Sequence, residues 1–215
     1  MNDITADQVQ PETTAVVVID MQNDYVHRDG AVIRYFRENH GSQAGANGPT
    51  HAEVMVPALL RLIAGARAAK VQVVWVVTHQ HPWTVTPYWQ TRWETAETNT
   101  QWGRALYAGL EPGPGEPMVI KRRHSCFFAT DMDLILRRLQ ITTVAMTGVG
   151  TPYCVEGSVR DAFMLDYNTI TVSDATATRE WSEHEAALRR LGTAFGRVTD
   201  SETLLRAWTP AAQPA

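Results

Sequence analysis

The sequence predicts an α/β protein built on a parallel β-sheet with helices on both faces. Three observations carry this. Residues 15–19 (AVVVI) and 71–77 (VQVVWVV) are continuous, mostly β-branched apolar runs without the alternation of a half-exposed strand, which suits strands buried on both faces. Segments with apolar residues at helical spacing lie between such runs, so strand and helix alternate along the chain. The strand runs end in polar or charged residues, at the carboxyl edge where open α/β sheets hold their ligands.

Taken in order, residues 1–13 are polar and read as a loose lead-in. The first strand ends in Asp20 and is followed by MQNDY. Residues 27–50 lack periodicity and finish in SQAGANGPT, which reads as a flexible surface loop. Residues 53–70 form an amphipathic helix with Val56, Leu59, Leu60, Ile63 and Ala66 on one face. The second strand, 71–77, leads into Thr78, His79, Gln80 and His81. Residues 82–117 are long for a connection and rich in Trp and Tyr, which suggests a lid over a pocket or an oligomer contact. A third strand, 118–120, ends in Lys121. Asp131 can cap a helix bearing Leu134, Ile135 and Leu139, ahead of a fourth strand at 142–146. A fifth strand is expected at 168–172. Ser182 and Glu185 fit a capping box for the following helix, and a brief strand near 197–199 and a helix to Trp208 come last. The chain thus reads as one domain over 14–208 with a frayed tail, 209–215.

Composition narrows the function. The 215 residues carry a formal net charge of -4 without a basic cluster, which leaves no electrostatic footprint for nucleic acid or an anionic membrane. No apolar segment is long enough to span a bilayer, and two cysteines without zinc-like spacing argue against a disulfide framework or structural zinc. A cytoplasmic protein acting on a small molecule is expected.

The most informative stretch is AMTGVGTPYCVEGSVRD, residues 145–161. A buried strand gives way to a turn containing Gly148 and Gly150. Thr151 and Pro152 suit the N-cap and first position of a helix that places Cys154 in its first turn. Unpaired N–H groups and the helix dipole there lower a thiol's pKa, which is a nucleophile's setting. Asp20, Lys121 and Cys154 therefore each follow a strand at one sheet edge, with complementary chemistry: an Asp can take a thiol proton, and a Lys can hold both in their charged forms. Singly, the residues read as well as a structural cap, a solvated strand end and an inert buried thiol.

Three motifs, VVVIDMQNDY, KRRHSCFFATDMDLILR and TGVGTPYCVEGSVRDAF, resemble those of the isochorismatase-like cysteine hydrolases, which include nicotinamidases, N-carbamoylsarcosine amidohydrolases, and ureidoacrylate, biuret and triuret hydrolases. The resemblance implies a three-layer α/β/α sandwich around a mostly parallel six-stranded sheet. It implies Asp20, Lys121 and Cys154 as the catalytic triad, and a cis peptide at Val149–Gly150 that aims the N–H groups of Gly150 and Cys154 at one point as an oxyanion hole. The expected activity is cysteine-dependent cleavage of a C–N bond in a small amide, carbamoyl or ureido compound through a thioester, releasing ammonia or an amine. Vinyl-ether hydrolysis of the isochorismatase type and a catalytically idle binding subunit are the alternatives. Asn23, Tyr25, Trp83, Phe127, Phe128 and Tyr153 are expected to contact substrate, although Phe127 and Phe128 read equally as core; Arg34, Arg37 or Arg92 offer partners for a substrate carboxylate but read by default as exposed arginines. No cofactor is expected. His79 and His81 are the metal candidates, since the Asp-x-His pair of nicotinamidases is here His79-Gln80-His81, but such histidines more often serve as hydrogen-bonded pocket walls. Cys126 reads as packed rather than as half of a redox pair with Cys154. The resemblance also implies a homo-oligomer, a dimer or tetramer.

Overall fold

Asp20, Lys121 and the Cys154 turn are delivered by neighbouring strands of one sheet. The computed structural model describes residues 4–90 and 100–209. Their strands are β1 (Thr14–Ile19), β2 (Gln72–Thr78), β3 (Met118–Lys121), β4 (Thr143–Val149), β5 (Asn168–Ala177) and β6 (Arg197–Thr199), and their helices are α1 (Asn23–Val26), α2 (Ala31–His40), α3 (His51–Ala68), α4 (Pro87–Gln90), α5 (Gln101–Arg104), α6 (Met132–Arg138), α7 (Glu156–Met164), α8 (Trp181–Ala194) and α9 (Ser201–Trp208). The sheet order is β3-β2-β1-β4-β5-β6 and every pairing is parallel, so the expected mostly parallel sheet is parallel throughout.

Alternation along the strands builds two cores. In β1, Val16 and Val18 face a cluster with Leu59, Leu62 and Ile63 of α3 and Leu204 of α9. Ala15, Val17 and Ile19 face the other, with Met132 and Leu136 of α6, Val159 and Ala162 of α7, and Leu191 of α8. This is the expected three-layer α/β/α sandwich. β1, fully buried, lies at its centre, which is why its sequence shows no polar alternation.

Several local expectations change. The lead-in is held over its described part: Val9 is fully buried and its carbonyl accepts from Trp208 Nε1 at 2.9 Å. The stretch 27–50 is not all loop. α2 forms within it, buries Ala31, Val32 and Ile33, and ends at Gly41, whose φ of 66° gives the left-handed C-terminal turn that glycine adopts without strain. α3 starts earlier than its apolar face, because Thr50 and Glu53 close a capping box, Thr50 Oγ1 accepting from Glu53 N at 3.0 Å. Ser182 lies inside α8 and caps nothing, the N-cap being Glu180. β4 and β5 run on past the expected 146 and 172 because their later residues stay in the sheet with polar side chains, Thr147 Oγ1 donating to the Val17 carbonyl and Thr176 Oγ1 to that of Val172. No described helix is long and apolar enough to cross a membrane.

Candidate active site

β1 and β4 are still paired where β1 ends, Ile19 lying against Gly148. Gly148 has φ 98°, and a Cβ there would stand 2.0 Å from the Ile19 carbonyl oxygen, so only glycine lets the Cys154 turn close on the residue after β1. That residue, Asp20, is itself left-handed at φ 52° and is 1% exposed. Its backbone N–H donates to Val76 O at 2.9 Å.

The three strand-end groups meet. Lys121 Nζ lies 2.8 Å from Asp20 Oδ2, 3.2 Å from Cys154 Sγ, and donates to Thr78 Oγ1 at 2.8 Å and to the Arg123 carbonyl at 3.0 Å. Thr78 Oγ1 in turn donates to Asp20 Oδ1 at 2.9 Å, so this hydroxyl at the end of β2 bridges the ion pair. Gln22 fixes Thr78 from both sides of its backbone, accepting from Thr78 N at 2.7 Å and donating to Thr78 O at 3.2 Å. Lys121 is 1% exposed, so the solvated strand end is excluded. Burial alone would pull its pKa down, but the Asp20 carboxylate beside it outweighs that, and the net shift is upward, in favour of the ammonium.

The thiol behaves differently from the sequence expectation. Residues Thr151–Val155 form a π-turn ahead of α7, with the N-cap at Gly150 rather than Thr151. Burial and then the Asp20 charge push the Cys154 thiol up to about 12, against the opposite pull of Lys121. The lowering expected from a helix terminus is therefore outweighed here by burial and by the neighbouring carboxylate, which favour the thiol. Thr151 has another task. Its Oγ1 lies 2.8 Å from His184 Nδ1, both residues being buried, which ties the turn to α8. Burial, with His51 nearby, lowers the His184 pKa, so the imidazole is neutral there. The Val149–Gly150 peptide is cis.

A cavity of about 320 Å³ opens above the thiol, lined by Asp20, Tyr25, Val32, Ile33, Phe36, His40, His124, Gly150, Tyr153, Cys154, Thr178 and Arg179 among others. Its roof is α2, not the aromatic stretch: none of the described residues of 82–117 lines it. Of the expected substrate contacts, Tyr25 and Tyr153 are there. Asn23 is buried elsewhere, its Nδ2 donating to Trp102 O at 2.9 Å. Trp83 is 90% exposed and Phe128 61% exposed, both outside the cavity. Phe127 packs in the core against Tyr167, with ring centroids 5.8 Å apart. Arg37 donates to Arg28 O at 3.3 Å, neither Arg34 nor Arg37 lines the cavity, and Arg92 lies outside the described residues.

His79 is half-buried, and burial together with Arg104 and Arg122 lowers its pKa; His81 is exposed. Among the described residues no group of three or more His, Cys, Asp or Glu is placed to hold a metal. His124, by contrast, stands with Nδ1 3.5 Å from Cys154 Sγ. Cys126 is fully buried, its thiol pushed up to about 12 by burial, and its backbone N–H donates to Ser158 Oγ. Both cysteines are free.

Sequence reasoning misses the α2 wall, although Val32, Ile33 and Phe36 recur at helical spacing. It also misses Thr178 and Arg179, which follow the polar end of β5. Arg179 is gripped by aromatics: its guanidinium carbon lies 3.6 Å from the Phe36 ring centroid and 5.2 Å from that of Tyr153, and Nη2 donates to Tyr153 Oη at 3.2 Å.

A family model for the isochorismatase domain matches residues 14–203. The chain belongs to this family. It is 34% identical over 211 residues to a ureidoacrylate amidohydrolase, RutB, of Methylobacterium radiotolerans, an alignment covering 89% of this chain and 78% of that protein. It superposes on an isochorismatase-like hydrolase from Alkaliphilus metalliredigens with a TM-score of 0.77 at 30% identity, covering 92% of this chain and all of that one. An N-carbamoylsarcosine amidase from Thermoplasma acidophilum is similar at a TM-score of 0.69 and 25% identity, over 88% and 97% of the two chains. Within the isochorismatase family, then, this chain has relatives named as hydrolases of amide and ureido C–N bonds.

Proposed function

We propose that this isochorismatase-family protein is a cysteine-dependent amidohydrolase, carried by a single unit over residues 14–208, that cleaves a C–N bond in a small amide, carbamoyl or ureido compound. The observation that carries the reading is the contact of Asp20, Lys121 and Cys154 at the base of one cavity. Asp20 takes the thiol proton as Sγ attacks the carbonyl carbon. The oxygen becomes an oxyanion received by the N–H groups of Gly150 and Cys154. Collapse breaks the C–N bond, Asp20 returns its proton to the departing nitrogen, and a thioester is left on Cys154. Water, deprotonated by Asp20, then hydrolyses the thioester and restores the thiol. A thiol raised to about 12 makes this base necessary, because little thiolate exists at neutral pH until Asp20 accepts the proton in the transition state. Lys121, 2.8 Å from Asp20 Oδ2, supplies the counter-charge to the carboxylate between these transfers.

Arg179, held between Phe36 and Tyr153 on the cavity wall, supports a substrate bearing a carboxylate at the end away from the thiol. The similarity to ureidoacrylate amidohydrolases fits such a ureido acid. The test is ammonia release from 3-ureidoacrylate, other ureido acids and neutral amides. Ureido acids are expected to turn over fastest, and Arg179→Met to raise KM for the acids on the order of 10- to 100-fold while leaving neutral amides little changed. A blank panel would overturn the assignment.

A further inference from the structure

The attacking sulfur has a second nitrogen against it, and the chemistry above gives that nitrogen no task. His124 lines the cavity with Nδ1 3.5 Å from Cys154 Sγ, the same sulfur that Lys121 Nζ approaches to 3.2 Å. An ammonium has three hydrogens. Those of Lys121 face four acceptors: Asp20 Oδ2, Thr78 Oγ1, the Arg123 carbonyl and the sulfur. The sulfur therefore has only a share in the ammonium, and it is the atom where negative charge gathers once Asp20 has taken the thiol proton.

The loop that carries His124 is fastened to the site on both sides of it. One residue before, the Arg123 carbonyl accepts from Lys121 Nζ at 3.0 Å. Two residues after, Cys126 N donates to Ser158 Oγ at 3.0 Å, and that hydroxyl donates to the Cys154 carbonyl at 2.6 Å. Cys126 and Ser158 are both fully buried. The imidazole is thus placed by groups that also place the nucleophile, which is what a preorganised donor requires.

The thiol has one hydrogen to give and Asp20 takes it, so Nδ1 receives none from sulfur and meets it as a donor. Two of the three protonation forms of the ring carry hydrogen on Nδ1. An N–H to a neutral sulfur is weak, whereas one to a sulfur bearing negative charge is charge-assisted and stronger. The contact therefore gains strength twice in the reaction, as sulfur attacks the carbonyl carbon and as water later displaces it. We propose that His124 is a catalytic residue of this hydrolase: its Nδ1–H joins Lys121 in holding the charge on Cys154 Sγ, as the Gly150 and Cys154 amides hold the charge on the substrate oxygen. His124 forms and breaks no covalent bond, and its proton stays on nitrogen throughout. The proposal rests on the amidohydrolase reading for the steps it assists, and adds a residue to them.

Asparagine and leucine test the donor, because the two side chains share one shape and Asn alone keeps an N–H on an atom bonded to Cγ. His124→Leu should lower kcat for ureido acids on the order of 10-fold with KM little changed, the worth of one hydrogen bond to a charged acceptor. His124→Asn should recover most of that loss, and His124→Ala, which adds no bulk, should behave as the Leu variant does. Alkylation of Cys154 by iodoacetamide at one fixed pH, read on its own peptide by mass spectrometry, needs no substrate. It should slow about 3-fold in the Leu variant and recover in the Asn variant, since a tenfold loss of thiolate is partly offset by the greater nucleophilicity of what remains. Leu and Asn variants that match each other in both measurements overturn the assignment, whether both equal the parent or both are impaired. A loss confined to KM overturns it too, because that marks a substrate contact. If alkylation follows the expected order but the unmodified enzyme releases no ammonia from any amide or ureido compound, the amidohydrolase reading fails while the His124 contact stands. If ammonia is released and neither kcat nor alkylation separates Leu from Asn, the amidohydrolase reading stands and the His124 contact fails.

Discussion

Replacing Cys154 with Ala is expected to lower kcat by on the order of 10⁴-fold or more, with the fold intact. The size follows from the mechanism, which has no second route: the bond to carbon forms at Sγ, and the nitrogen cannot leave until that adduct exists. The fold should survive because Cys154 is only half-buried at the cavity wall, and truncation removes one of the four contacts at Lys121 Nζ while leaving Asp20, Thr78 and the Arg123 carbonyl in place. Assays of ammonia release alongside circular dichroism melting check both halves. A variant that melts as the parent does and still turns over would remove Cys154 from the nucleophile's role.

Lys121→Met should cost both stability and activity, and the two losses can be pulled apart. The Asp20–Lys121 pair has side-chain exposures of 2% and 1%, so deleting the cation leaves a carboxylate buried without its counter-charge. Breaking such a pair typically costs about 3–5 kcal/mol, whereas replacing both partners by uncharged groups is often close to neutral. Denaturant melts should therefore show Lys121→Met strongly destabilised and the Lys121→Met/Asp20→Asn double variant substantially recovered. Asn is the suitable replacement because it tolerates the left-handed backbone at position 20, where φ is 52°. Turnover should stay lost in the double variant, since the base has gone. Additive stability losses in the double variant would contradict a directly coupled buried pair.

Much of this arrangement is legible in the amino-acid sequence. Strands buried on both faces announce themselves by unbroken β-branched runs, so β1 and β2 and the reactive residues ending the strand runs can be read directly. Asp20, Lys121 and Cys154 converge because parallel strands present all their carboxyl ends at one edge. What escapes the sequence has a common cause: it depends on neighbours distant in the chain. β5 continues through SDATA on hydrogen bonds that hydropathy cannot register, so nothing in the sequence places Thr178 and Arg179 beside Gly150. α2 has helical spacing over too short a span, next to a glycine-rich patch, and so its wall reads as loop. Trp83 and Phe128 suit a pocket by being aromatic, but the chain carries them to the surface. The sign of the cysteine's shift is hidden because local geometry favours the thiolate, while burial and the Asp20 carboxylate, 134 residues away in sequence, outweigh it.

The central claim is that Cys154 carries the substrate's acyl group between two proton transfers by Asp20. Rapid-quench mass spectrometry during turnover of a ureido acid tests it most directly. The thiocarbamate that a ureido acid leaves on sulfur should appear as a mass increase equal to the substrate less ammonia, on the peptide containing Cys154 and not on that containing Cys126. Turnover at full rate with Cys154 unmodified at every quench time, or with the adduct on another residue, would contradict it.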